Sequence, residues 1–271
     1  MIPRPSRLVL LGHPVGQSLS PQFQNAALHS AGIPIVYEVL DVPPGCLARV
    51  VGELAEAHAG GNVTIPHKEA VAALCERRTP LADRVGAVNT FWVDGEGVLV
   101  GDNTDVGGVQ WLVRQTVGEL PRAKRIALLG AGGAAAAALA AIEAWPGCEV
   151  TLYNRSATRA ARLAARFPVV TRTTQSADDA VREAAVVINA TAAGLEGDEQ
   201  PVSVDALSSD AVAIDLVYRR GRTPWVRAAR SRGLLASDGL PMLVEQGALA
   251  FERWFGIEAP RAVMWEAVRD W

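Results

Sequence analysis

The sequence predicts an α/β fold in two domains, an N-terminal, mostly parallel α/β domain followed by a doubly wound parallel sheet. Three observations carry this reading. Strand-like and helical runs alternate from Leu8 onward. A second series of short apolar strands begins at Arg125, and a glycine-rich turn joins the first of these to an alanine-rich helix. The length of 271 residues suits two compact domains, and a 49% hydrophobic content supplies a core and excludes intrinsic disorder.

Taken in order, LVLLG (8–12) is a buried strand ending in a glycine turn. Ser20-Pro21 opens a helix to about Ala31, with Ser20 as N-cap, Pro21 at the first helical position and Gly32 beyond the end. IVYEVL (35–40) is strand-like, residues 46–59 are helical, NVTI (62–65) is strand-like and KEAVAALCERR (68–78) is helical. Residues 87–93 and 98–101 make a hairpin through Asp94-Gly95. The second series comprises 125–130, 149–154, 169–172, 185–190, 211–218 and 233–237, with helices between most of them. From Leu240 the chain is helical with no strand after it.

Composition narrows the function. With 26 Lys+Arg against 29 Asp+Glu, the net charge of −3 leaves no electrostatic footprint for nucleic acid or an anionic membrane. Three cysteines and four histidines lack the spacing of a disulfide framework or a metal site. The N-terminus lacks a signal-peptide core, and the longest apolar run, Ala134–Ile142, is too short to span a bilayer. The expectation is a cytoplasmic protein with reduced thiols, whose seven tryptophans are packing residues.

Gly130-Ala131-Gly132-Gly133-Ala134-Ala135 fits G-x-G-x-x-A between a strand and a helix. Glycines there let the backbone turn and approach a pyrophosphate at the positive end of the helix. The pattern alone also describes a plain strand–helix turn. After the next strand, at Asn154-Arg155, no carboxylate is available for a ribose 2′-hydroxyl; Arg155 and Arg159 follow instead. A guanidinium binds a 2′-phosphate bidentately, which favours NADP over NAD; solvated arginines at a helix start are the other reading.

Four polar motifs occupy strand ends or turns of the first half: Ser18-Leu19-Ser20-Pro21, residues 62–68, Val88-Asn89-Thr90 and Asp102-Asn103-Thr104-Asp105. Each has a bland explanation as a cap, a turn or a solvated residue. Yet a cation at a helix start is unfavourable, so Lys68 behind Pro66 points to function. Together the motifs offer the donors and acceptors that a small polyhydroxylated acid needs.

The ordered set G-H-P-V-G-Q-S-L-S-P, G-N-V-T-I-P-H-K, G-A-V-N-T, G-D-N-T-D, G-A-G-G-A, N-R-S, N-A-T, D-L-V-Y and G-L-P-M-L-V-E-Q-G-A resembles the shikimate dehydrogenase family over nearly the whole chain. The resemblance implies reversible NADPH-dependent reduction of 3-dehydroshikimate to shikimate, on the route to aromatic amino acids. It implies a substrate domain at 1–105, a Rossmann-type NADP domain at 106–238, and C-terminal helices at 239–271 that return to the first domain. Lys68 and Asp105 match the family's catalytic pair. Ser18 and Ser20 match its carboxylate-holding serines, and Thr64, Asn89, Tyr218 and Gln246 its other substrate contacts. Cofactor contacts fall on Gly130, Ala131, Gly132, Gly133, Ala134, Asn154, Arg155, Arg159, Thr191 and Gly239.

No metal is implied, and the oligomer is a monomer or homodimer. Ser20, if it spends its hydroxyl on capping, leaves Ser18 as the main carboxylate contact. Gln24 and Pro241 depart from the family pattern, replacing a usual histidine and a frequent glycine. Rival readings are a quinate or aminoshikimate dehydrogenase of the same family, and a catalytically idle metabolite sensor.

Overall fold

The structure is a computed structural model and describes residues 4–168 and 171–271. The chain divides into two compact units, Met1–Asp105 with Leu243–Asp270, and Val106–Met242 with Trp271.

In the first unit, β1 (Leu8–Gly12), β2 (Tyr37–Asp41), β3 (Gly60–Val63), β4 (Arg77–Arg78), β5 (Thr90–Val93) and β6 (Leu99–Asp102) form one sheet in the order β2-β1-β3-β5-β6-β4. β1 runs parallel to β2 and β3, and β4 parallel to β6, whereas β5 is antiparallel to both its neighbours. A parallel sheet covered by helices buries both faces, which is why Leu8–Leu11 is continuously apolar and buried. The hairpin turns at Asp94–Gly97, where Gly97 takes a φ of +80° and Asp94 N–H donates to the Val98 carbonyl.

Helices α1 (Ser20–Ser30), α2 (Leu47–Glu56), α3 (Lys68–Leu74) and α4 (Pro80–Val85) accompany this sheet. Three expectations need correction. Ser20 is the first helical residue and Leu19 holds the cap position without a side-chain bond; Ser18 Oγ instead accepts the Ser20 N–H at 3.2 Å. The 68–78 helix stops at Leu74, because Arg77–Arg78 pair in parallel with β6. The 46–59 helix is shorter, α2 ending at Glu56, and a 3₁₀ turn at Pro44–Cys46 precedes it.

The second unit carries the doubly wound sheet. Its strands are β7 (Arg125–Leu129), β8 (Glu149–Tyr153), β9 (Thr171–Thr174), β10 (Val186–Asn189), β11 (Val212–Asp215) and β12 (Ala236–Ser237). They run in the order β12-β11-β10-β7-β8-β9, every pairing parallel. Strand direction of growth reverses between β7 and β10, and such a switch point opens a binding crevice beyond the strands' carboxyl ends. All six predicted strands are present; of the third, Thr171–Thr174 is described, and its predicted Val169 and Val170 lie outside the described residues.

Helices α5 (Asp105–Val117), α6 (Gly133–Glu143), α7 (Ala157–Arg166), α8 (Ala177–Val181) and α9 (Pro224–Ser231) complete the unit. In α6 every residue from Ala135 to Ile142 is buried, as small side chains permit when a helix lies close to a sheet. No helix among the described residues is long and apolar enough to cross a membrane.

The last helices are α10 (Leu240–Phe255) and α11 (Arg261–Val268), and the chain from Leu243 belongs to the first unit. Trp254 is fully buried, donates from Nε1 to the Phe91 carbonyl at 3.1 Å and tilts against Tyr37, with ring centroids 6.1 Å apart. Arg253 Nε reaches the buried carboxylate of Asp102 at 2.7 Å. Pro241 sits in the first turn of α10, where its missing N–H costs no hydrogen bond.

Candidate active site

Lys68 opens α3 and Asp105 opens α5, so both side chains project from helix starts that follow strands β3 and β6. Lys68 Nζ donates to Asp105 Oδ2 at 2.7 Å, the two side chains being 19% and 5% exposed. A cation that accessible, backed by a carboxylate that buried, presents one face for chemistry and keeps the other fixed.

Asn89 holds that carboxylate from the opposite side. Its Nδ2 donates to Asp105 Oδ1 at 2.8 Å and also lies within bonding distance of Thr104 Oγ1 and Gln246 Oε1, at 2.9 and 3.1 Å. The Thr104 N–H donates to Asn89 Oδ1 at 2.7 Å, and this fixes which end of the amide faces Asp105. Further back, Tyr37 Oη donates to Asn62 Oδ1 at 2.8 Å, and Asn62 Nδ2 reaches Thr90 Oγ1 at 3.0 Å. Tyr37 is fully enclosed, and burial raises its phenol well above the ordinary value, so it remains a donor.

Of the residues predicted from sequence, the first unit therefore brings Lys68, Asp105, Asn89 and Gln246 into one hydrogen-bonded cluster. Thr64 is half-buried at the end of β3, and its N–H donates to the Leu11 carbonyl. Ser18 is half-buried and Ser20 buried at the start of α1. Asn62, Thr90 and Thr104 were not predicted as site residues. Their signal was in the sequence, as polar residues recurring at strand ends among apolar neighbours.

In the second unit Gly130 and Gly132 behave differently. Gly130 has a φ of +113°, and a Cβ there would come within 2.6 Å of the Ala190 carbonyl oxygen. A Cβ on Gly132 would meet nothing within 4 Å, leaving open space at the N-terminus of α6, which has no side-chain cap. This is a cradle with free backbone donors, the donor set an anionic pyrophosphate requires. Ala131, Gly133 and Ala134 form the rest of the turn.

Beyond β8, Asn154 Nδ2 donates to the Ser156 carbonyl, and Ser156 caps α7 by accepting from Arg159 N–H. Arg155 and Arg159 are exposed, and among the described residues neither guanidinium forms an ion pair. No carboxylate lies between Tyr153 and Arg159. Thr191 donates from both N and Oγ1 to Asn189 Oδ1, at 3.0 and 2.7 Å. Gly239 is buried, and its absent side chain admits the Leu216 carbonyl, which a Cβ would meet at 2.3 Å. Tyr218 is half-buried in this unit.

A profile described as the shikimate dehydrogenase substrate binding domain matches residues 10–91, one for shikimate / quinate 5-dehydrogenase matches 112–216, and one for the shikimate 5′-dehydrogenase C-terminal domain matches 239–269. A Thermus thermophilus protein named shikimate dehydrogenase (NADP(+)) is 41% identical over 97% of this chain and 97% of its own. The chain belongs to the shikimate dehydrogenase family.

Solved members of the shikimate dehydrogenase family share its fold. The Aquifex aeolicus enzyme superposes with a TM-score of 0.91 at 33% identity, covering 98% of each chain. A Thermus thermophilus enzyme solved in complex with NADP(H) and shikimate gives 0.86 at 41% identity over 97% of this chain and 98% of that one. Where the family pattern has histidine, Gln24 is fully buried and donates from Nε2 to the Gly247 carbonyl at 2.9 Å; its Oε1 has no partner among the described residues. Gln24 thus packs against α10 beside Gln246, and its hydrogen bond goes to the Gly247 carbonyl rather than to Lys68 or Asp105.

Proposed function

We propose that this chain is an NADP-dependent shikimate dehydrogenase, catalysing the reversible reduction of 3-dehydroshikimate to shikimate in aromatic amino-acid (chorismate) biosynthesis. The observation that carries the chemistry is the 2.7 Å contact between Lys68 Nζ and a buried, doubly anchored Asp105. When bound, NADPH supplies the hydride that reduces the carbonyl carbon. The fit of the second unit to that cofactor rests on the Gly130–Gly132 cradle and on the exposed guanidiniums of Arg155 and Arg159, which form no ion pair among the described residues.

Lys68 Nζ hydrogen-bonds the carbonyl oxygen, offsets its developing negative charge and delivers the proton that completes the hydroxyl. Asp105 orients the ammonium and accepts from a neighbouring ring hydroxyl. Asn89, pinned by the Thr104 N–H, keeps Asp105 from rotating. Thr64, Gln246 and Tyr218 contribute further contacts to the substrate.

Ser18 and Ser20 take the substrate carboxylate at the start of α1, where unpaired backbone N–H groups add to their hydroxyls. Because α1 is not capped by Ser20, that hydroxyl is not committed to the helix, and both serines are contacts. Gly130, Ala131, Gly132, Gly133 and Ala134 hold the pyrophosphate, and Asn154, Arg155, Arg159, Thr191 and Gly239 the rest of the dinucleotide. The three cysteines are free, in keeping with a reducing, cytoplasmic location, and the enzyme acts as a monomer or homodimer.

The test follows nicotinamide absorbance with shikimate or quinate, each with NADP⁺ or NAD⁺. Turnover with shikimate and NADP⁺ far above the other three pairs is expected. Faster turnover with quinate, a substrate that the description of the middle profile also includes, would overturn the substrate assignment while leaving the Lys68–Asp105 chemistry in place.

A further inference from the structure

Asp215 ends β11 and is completely buried in the second unit, with no cation paired to it among the described residues. Three neutral donors surround its carboxylate. Asn189 Nδ2 donates to Oδ1 at 2.8 Å, Val217 N–H to the same oxygen at 3.1 Å, and the Thr223 hydroxyl to Oδ2 at 2.7 Å. The donors come from the ends of two strands and from the start of α9, so one side chain ties these segments together.

The loops it ties are those of the proposed dinucleotide site. With its Nδ2 committed to Asp215, Asn189 must turn Oδ1 the other way, where it accepts from Thr191 N and Oγ1. Thr191 Oγ1 in turn accepts from Ala193 N–H at 3.1 Å. Ala190 is fixed to the end of β7 through its N–H, and its carbonyl is the atom against which Gly130 packs. On the other side, the Val217 N–H that Asp215 holds belongs to the turn whose carbonyl accepts from Gly239 N–H at 2.9 Å.

We propose that Asp215 is a positioning residue for the dinucleotide: its carboxylate sets the amide of Asn189, and through it the Thr191 loop, in the conformation that receives the cofactor. The proposal rests on the NADP reading given above. A carboxylate held by neutral donors loses strength as an anchor when protonated, since the bonds from Asn189 and Val217 lose their charge assistance and the Thr223 hydroxyl must turn from donor to acceptor. Burial pushes the Asp215 carboxyl up to about 6, against the three hydrogen bonds that lower it. The other charged group bearing on it is Asp238, itself raised by burial and drawn back by Arg222 and Arg230. No histidine occurs between Val106 and Met242 to titrate nearby in the second unit.

The experiment measures NADP⁺ dissociation constants by calorimetry on the full chain, for the unmutated protein and for Asp215→Asn, a neutral isostere of the protonated acid. At pH 7.5 the variant is expected to bind about tenfold more weakly, in the range of one compromised buried hydrogen bond. Its shikimate affinity should change less than its NADP⁺ affinity. The ratio of the two NADP⁺ constants should shrink toward one at pH 5, because the unmutated protein then also carries a neutral Asp215; taking the ratio cancels titration of the ligand's own phosphate, which has a second pKa of about 6.

Equal affinities at pH 7.5, or a ratio independent of pH, would overturn the proposal. Should the variant fail to fold, the unmutated protein is titrated with NAD⁺, which lacks the 2′-phosphate. Binding that weakens as pH falls from 7.5 to 5 supports the role, and a flat profile removes it. Failure of the unmutated protein to bind NADP⁺ at any pH would instead defeat the cofactor reading itself.

Discussion

Each unit buries an aspartate that accepts an asparagine Nδ2 at 2.8 Å, Asn89 to Asp105 in the first and Asn189 to Asp215 in the second. The first also has a lysine ammonium at 2.7 Å; among the described residues the second has only neutral donors. The same pair of residue types therefore serves two ends. With a cation beside it, the carboxylate holds the ammonium that the proposed mechanism uses as its proton donor. Without one, it pins loops and carries the desolvation cost of a buried acid.

Removing the cation breaks the comparison most sharply. Lys68→Ala leaves Asp105 as a buried carboxylate among neutral donors, as Asp215 is, and loses the proton donor. Steady-state kinetics should show kcat lower by ~10²–10⁴ with KM little changed. A large rise in KM with kcat preserved would make Lys68 a binding residue.

The second effect concerns stability. Asp215 titrates near 6 when folded, above an ordinary carboxyl, so between about pH 4 and 6 the folded chain retains a proton that the unfolded chain has released. Stability due to Asp215 is thus greatest below pH 4 and declines as pH rises through 6, by about 3 kcal/mol in all. Denaturant titrations should show Asp215→Asn gaining on the unmutated protein as pH rises from 4 to 7. A difference independent of pH would mean that burial does not penalise the charged carboxylate.

Gly130→Ala tests the cradle rather than the anchor. The new Cβ meets a backbone oxygen at 2.6 Å with φ at +113°, a strain of about 1–3 kcal/mol. NADP⁺ affinity should drop accordingly while shikimate binding persists. Gly132→Ala, with open space around it, should preserve stability and weaken only nucleotide binding.

The smallest effect is expected at the substrate carboxylate. Ser18→Ala and Ser20→Ala should each raise the KM for shikimate by about five- to tenfold, in the range of one ordinary net hydrogen bond apiece, because the backbone N–H groups at the start of α1 remain to hold the carboxylate. Neither should shift the melting temperature much, since Ser20 does not cap α1. A marked loss of stability in Ser20→Ala alone would restore the capping role.

The doubly wound sheet was legible because parallel strands covered on both faces read as unbroken apolar runs, as Ile126–Leu129 and Val186–Ile188 do. β4 was not, since Arg77 and Arg78 are exposed and carry no apolar period; their pairing with β6 is imposed by tertiary structure. Ser20 misled because serine before a helical proline has the capping signature, while the chain starts its helix one residue sooner. At the site, Lys68 stood out as a cation at a helix start and Asn89 as part of a polar strand end. Asp215 looked like the polar end of an apolar strand, because its partners Asn189 and Thr223 come close only when separate segments fold together.

The make-up of the first unit has a consequence for how the protein comes into being. Residues 243–270 belong with residues 1–105, and all but the last residue of the second unit lies between them in the chain. During synthesis the second unit is therefore essentially complete while its predecessor still lacks Trp254, which covers Tyr37 and Phe91, and Gln246, which meets Asn89. A nascent chain halted at Met242 should present its apolar Phe91 and Tyr37 surroundings to chaperones. The stretch from Leu243 to Asp270, made after the second unit, closes the first domain.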